Sequence, residues 1–218
     1  MKRLILFFTT LLFAVSVFGQ EVETQRKSLF FNEFSLSVNR TNVSSSGIEN
    51  RFGGGAGVYH SFVLGQHFDL VLGLEYNYIS LFADDGIKWS PRYYYDEIQI
   101  HTFSPPFTLR FSIGKNVKYF LDAGVFLGVL VANEKGKAIN PHPTPENPQN
   151  LLPTQQTEIG VHFGSSFGTG IKIPMKQIEW IVKADYNIEL KTNIELEILE
   201  YAKCNIHYYR LCVGIRKK

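Results

Sequence analysis

The feature that most narrows the fold is an alternation of period two sustained over long stretches. From residue 68, one face reads Phe68, Leu70, Leu72, Leu74, Tyr76, Tyr78 and the other Asp69, Val71, Gly73, Glu75, Asn77, Ile79. From residue 178, Ile178, Trp180, Val182, Ala184, Tyr186 and Ile188 oppose Glu179, Ile181, Lys183, Asp185, Asn187 and Glu189. Successive side chains of a strand point to opposite faces, whereas a helix would scatter each set around its circumference. Both stretches are predicted strands, each with one apolar and one mainly polar face.

Six further segments read the same way: 29–39, 52–64, 95–112, 117–132, 157–173 and 203–216. In 117–132, Tyr119, Leu121, Ala123, Val125, Leu127, Val129 and Val131 share a face, with Asp122, Gly124 and Gly128 opposite. In 157–173, Ile159, Val161, Phe163, Phe167 and Ile171 oppose Gly160, His162, Gly164, Ser166, Gly168 and Gly170. Pro105 and Pro106 cannot donate ladder hydrogen bonds, so a bulge or register shift is expected there. The total is eight strands.

Connection lengths also alternate. Tight turns are expected at 65–67, 114–116 and 174–177, and long loops at 40–51, 80–94, 133–156 and 190–202. The longest holds five of the nine prolines, which keeps it extended. Short turns at one end and long loops at the other are the asymmetry of a transmembrane barrel.

Ahead of this pattern, Lys2 and Arg3 precede an apolar run from Leu4 to Phe18, then Gly19 and Gln20. That is the layout of a cleaved secretory signal, and the run is shorter than the roughly 20 residues a spanning helix needs. Residues 1–19 are therefore read as signal peptide and 20–218 as one barrel domain. Without Lys2 and Arg3 the basic count falls from 22 to 20, equal to the 20 acidic residues. A neutral chain argues against electrostatic nucleic-acid binding. No later apolar segment is long enough for a spanning helix, so a membrane form must be a closed barrel. Cys204 and Cys212 lie eight residues apart in one expected strand, about 26 Å at strand rise, too far for a disulfide. No metal or cofactor site is expected.

Alternation alone does not say which face points outward, because a soluble ligand-binding barrel turns its apolar face inward. Three features favour apolar outside: aromatic residues towards the ends of the apolar face (Phe68, Tyr76, Tyr78, Tyr119, Trp180, Tyr186, Tyr209), a glycine-rich polar face suited to a crowded lumen, and the loop asymmetry. The expected fold class is all-β: an eight-stranded antiparallel up-and-down transmembrane β-barrel.

The chain resembles the Bacteroidetes outer-membrane β-barrel proteins of the PorT-like type. The residues that carry this are Val17-Phe18-Gly19-Gln20, Tyr119-Phe120-Leu121-Asp122-Ala123-Gly124, Glu158-Ile159-Gly160-Val161-His162-Phe163-Gly164 and Ala184-Asp185-Tyr186-Asn187-Ile188. The resemblance spans the mature chain as a pattern of low motif specificity. It implies an outer-membrane barrel of about eight strands, with some relatives linked to protein secretion and gliding. The ending Ile215-Arg216-Lys217-Lys218 departs from the aromatic last residue usual in such barrels.

On the lumen side the parity places Glu33, Asp69, Glu75, Asp122, Glu179, Lys183, Asp185 and Arg210. Buried charges must be paired, so mixed signs across strands are expected to form an ion-pair plug rather than an ion path. An enzyme would need a nucleophile touching a base. His162 and Ser166 share a face but stand about 13 Å apart at strand rise, and His60 and Ser61 face opposite ways. The loops offer Trp89, Arg92 and Tyr93 as surface contacts, because aromatics and arginine are frequent anchors. The function expected is a non-enzymatic outer-membrane barrel, structural or accessory to a cell-surface process such as secretion or surface recognition. Its partners would be outer-membrane lipid and other cell-envelope proteins met through loops 80–94 and 133–156, with no nucleic acid. A soluble lipid-binding barrel and a lipid-modifying membrane enzyme are the alternatives.

Overall fold

The computed structural model describes residues 31–42, 48–90, 93–139, 151–192 and 206–217. Ten strands occur in them: β1 (Glu33–Asn42), β2 (Ile48–Asn50), β3 (Phe52–Val63), β4 (Phe68–Ser90), β5 (Tyr93–Ser104), β6 (Pro106–Ile113), β7 (Lys118–Ile139), β8 (Leu151–Pro174), β9 (Ile178–Thr192) and β10 (His207–Lys217). Both β2 and β3 pair with β4, so they form one stave interrupted at Arg51. Likewise β5 and β6 form one stave interrupted at Pro105, flanked by β4 and β7. The remaining strands pair antiparallel in chain order, and β10 returns to pair with β1. The chain is thus an all-β, closed, eight-stranded antiparallel up-and-down barrel, and closure removes the exposed edges of an open sheet.

Register sets the barrel's shape. Directly paired residues lead from Tyr78 through Gly54, Val38, Leu211, Ala184, Thr169, Leu121 and Phe111 back to β4 at Phe68. The circuit closes ten residues from its start (78 − 68), a shear of ten for eight staves. With about 3.3 Å rise per residue and 4.8 Å between strands, that shear tilts the strands by about 40°. Each residue then advances about 2.5 Å along the barrel axis.

The turns fall where expected. The amides of Leu64 and Gly65 donate to the Phe68 carbonyl, and that of Met175 to the Ile178 carbonyl at 2.8 Å. Gly114 has φ of 118°, which glycine adopts without a Cβ penalty. Three expectations need correction. At Pro105 the ladder is interrupted, yet the pairing on both sides keeps one register, because a proline removes a single donor without adding a residue. Register shifts lie instead at Arg51, where four residue steps from Asn50 to Gly54 oppose three from Leu81 to Tyr78, and between Phe82 and Ile87, Lys88 and Ser90, Tyr95 and Glu97, and Phe163 and Gly164. The loops expected over 80–94 and 133–156 are largely strand: β4 runs to Ser90, β5 starts at Tyr93, β7 runs to Ile139 and β8 starts at Leu151. Residues 79–82 and 97–100 are cross-strand partners, so the polarity change that resembles a loop boundary is a change in what the wall faces. Phe31 and Asn32 precede the first strand, which begins at Glu33, and Ile206 precedes the last, which begins at His207, although all three fall within the expected strands; 29–30 and 203–205, Cys204 among them, lie outside the described residues.

The two faces of the wall differ in kind. Over the ten residue steps from Phe68 to Tyr78, about 25 Å of axial height, apolar side chains point out: Leu36 is 57% exposed, Leu121 60% and Leu211 58%. Rings mark both limits. Phe68 packs on Phe111 with centroids 5.1 Å apart near the turns, and Tyr76 on Phe103 at 5.0 Å near the other limit. Beyond Tyr78 the same strands invert. Ile79, Leu81, Ile98, Ile100, Leu130 and Ala132 point inward and are buried. Gln99, Glu97, Asn133, Lys135 and Thr157 take the outer side, where Gln99 donates to Glu97 at 2.9 Å and Thr157 to Asn133 at 2.8 Å.

Candidate functional site: the ion-pair network in the lumen

The inward face of the 25 Å band gathers charge on two arginines. Arg110 of β6 donates from Nε and one terminal nitrogen to the two oxygens of Asp122 on the adjacent β7, at 2.8 and 2.9 Å. Its other terminal nitrogen reaches across the lumen to Glu33 of β1 at 3.2 Å. Arg210 of β10 makes the same kind of fork with Glu75 of β4, at 2.7 and 3.0 Å, and meets Asp185 of the adjacent β9 at 2.9 Å. Lys183 joins the two groups, 3.0 Å from Asp185 and 3.7 Å from Asp122. Paired donors on a carboxylate are the strongest geometry a guanidinium offers, and such geometry is what a buried charge requires.

A second, smaller cluster closes the turn end. Lys172 donates to Asp69 at 2.8 Å and to the Ser112 hydroxyl at 3.2 Å, and Arg216 stands 3.4 Å from Asp69. Across both clusters the cations Arg110, Lys172, Lys183, Arg210 and Arg216 balance the carboxylates Glu33, Asp69, Glu75, Asp122 and Asp185, five against five.

Aromatic side chains pack the space around the charges, and this explains the glycines of the polar face. The Tyr59 hydroxyl donates to Glu75 at 2.7 Å, and its ring lies where side chains on Gly57 and Gly73 would stand. The Phe120 ring occupies the place of a Gly170 side chain and lies 4.4 Å beneath the Arg110 guanidinium. The remaining free space among Glu33, Arg110, Lys183 and Arg210 is about 10 Å³, about one water. The band's centre is therefore plugged by its own side chains.

Seven of the eight sequence-assigned lumen residues enter these clusters. The eighth, Glu179, is buried opposite Arg216 in the β9–β10 register. Sequence reasoning missed Arg110, Lys172, Arg216 and Tyr59. Lys172 continues the parity of Gly168 and Gly170 and was open to recognition, whereas the parity of Arg110 is obscured by the prolines five residues before it. His162 is fully buried with Nδ1 3.1 Å from Glu189, and its ring lies 5.5 Å from Phe126. Ser61 is buried while His60 packs its ring on Phe62 outside. The Cys212 thiol is free and stands 3.6 Å from Asp185. Of the expected surface contacts, Trp89 belongs to β4 and Tyr93 to β5, each in strand rather than loop, and Arg92 lies outside the described residues.

No protein-family model and no curated protein matches the chain. Solved structures that it is similar to include Neisserial surface protein A, at 12% identity over 85% of this chain and 96% of that one, with a TM-score of 0.48. Ail, the attachment invasion locus protein of Yersinia pestis, in complex with the heparin analogue sucrose octasulfate, aligns at 12% identity over 86% and 99%, TM-score 0.40. The N-terminal β-barrel domain of Pseudomonas aeruginosa OprF aligns at 14% over 85% and 97%, TM-score 0.32. At this level of likeness the barrel rests on the closed ladder of this chain's own strands.

Proposed function

We propose that this protein is a non-enzymatic outer-membrane β-barrel, closed to ion flow, that serves as a structural or accessory part of a cell-surface process such as secretion or surface recognition. The observation that carries this is the inversion of polarity along single strands. Within the 25 Å band the wall is apolar outside and charged inside; beyond Tyr78, β4, β5 and β7 turn mostly apolar side chains in, with Glu134 the buried exception on β7, and turn Glu97, Gln99, Asn133 and Lys135 out. In water, so many exposed leucines and valines around a charged interior would be unfavourable over the whole band. In a bilayer the band matches the height of the hydrocarbon-facing belt, and the inverted region matches water above it.

A soluble lipid-binding barrel would instead need an apolar lumen with room for a chain. The band's lumen is charged and nearly filled. The filled lumen also supports a plug in place of an ion path. Export through a signal peptide cleaved after Gly19 and kinship with the PorT-like proteins belong to the same proposal, supported by the residues quoted for each under Sequence analysis. Fractionation of the producing cell tests the localisation: the protein should enter the outer-membrane fraction and migrate differently on gels before and after boiling. Recovery in the soluble periplasm would sink the reading. In planar bilayers the folded protein should show no steady conductance.

A further inference from the structure

On the outer wall of the band, register brings Phe52 of β3, Arg40 of β1, Tyr209 of β10, Tyr186 of β9 and Phe167 of β8 side by side on five consecutive strands. The Arg40 guanidinium lies 5.7 Å over the Phe52 ring, and Tyr186 stacks on Tyr209 at 4.9 Å. Below this row the small side chains of Ala184 and Thr169 leave a groove of about 660 Å³, the size of a small-molecule site, open along the wall. At about 2.5 Å per residue the groove climbs roughly 15 Å from Thr169 near mid-band to Arg40 at the upper aromatic limit. Arg40 is exposed there, and among the described residues no carboxylate lies within ion-pair distance of it.

We propose that this groove holds one acyl chain of a net-anionic, phosphate-bearing lipid, with its headgroup on Arg40. This rests on the membrane reading of the barrel. Two features select the occupant. The groove is walled by rings and floored by small side chains, so its filling must be apolar. Its mouth carries a guanidinium with no carboxylate at ion-pair distance among the described residues, and a guanidinium takes phosphate in a two-point hydrogen-bonded geometry. Arg40 also sits where a headgroup begins, at the height of the upper aromatic ring pairs.

The test is lipid retention by the folded full-length protein in dodecyl maltoside micelles, offered palmitoyl-chain phosphatidylglycerol or phosphatidylcholine and read by native mass spectrometry. Phosphatidylglycerol should be retained about fivefold over phosphatidylcholine, the ratio expected of one partly exposed charge pair. Arg40→Gln should bring the two lipids to parity and Arg40→Lys should keep the preference. Ala184→Phe, which fills the groove, should lower retention of both. Equal retention by the unaltered protein, or a preference that survives Arg40→Gln, overturns the inference while the gel shift on boiling still reports a membrane barrel. A chain that does not fold in micelles overturns the membrane reading, and this inference with it.

Discussion

The band between Phe68 and Tyr78 and the wall above it are built from the same strands with opposite rules. In the band, Leu121, Val125 and Leu127 of β7 point out and Asp122 points in; higher on that strand, Leu130 and Ala132 are buried inside while Asn133 and Lys135 lie outside. A strand therefore has no polarity of its own: each face takes the character of the medium or the neighbours it meets. The contrast also separates two ways of filling a barrel. The band is filled by ion pairs and rings laid on glycine, the upper wall mainly by aliphatic side chains, with Glu134 buried beside them.

The comparison breaks most readily at its charged centre. Arg210→Leu should cost about 3–5 kcal/mol, because it leaves Glu75 and Asp185 buried without their shared cation. Urea titration followed by the gel shift on boiling measures this, and a loss under about 1 kcal/mol would mean the network is solvated rather than buried. Next, Leu130→Ala in the upper wall should cost about 2–5 kcal/mol by opening a cavity in an aliphatic core. The inversion itself is probed by a pair of substitutions. Val125→Arg on the band's outer face should lose about 2–4 kcal/mol, as a cation facing lipid does, and block assembly. Gln99→Arg, outward on the upper wall, should stay within about 0.5 kcal/mol. Equal effects of the two would place both positions in one medium. The smallest effect belongs to Lys135→Ala: the lysine is exposed, its half-buried partner Glu97 lies 4.0 Å away, and about 0–0.5 kcal/mol is expected.

Much of the band was legible because two-residue parity and turn residues are local. The eight staves, the tight turns and seven of the charged members of the plug follow from them. The upper wall was not legible as strand. Runs such as 80–90 look irregular when one expects an apolar outer face throughout, yet their backbone continues the ladder. Arg110 shows the same limit. In the sequence its strand is one segment broken by the prolines, and its role rests on Glu33, 77 residues away in the chain.

By itself the sequence determined which side chains share a face, where the chain turns and that acidic and basic residues balance over residues 20–218, since each of these is a property of neighbours or of a sum. The tertiary structure decided the shear of ten, the choice of Glu33 and Asp122 for Arg110 and of Glu75 and Asp185 for Arg210, and the height at which the faces exchange character. Those depend on how far each strand slides along the next before the barrel closes. Alternation with a period of two is unchanged by a slide of two residues, so only closure, with ion pairs and rings fitted across the lumen, selects one register.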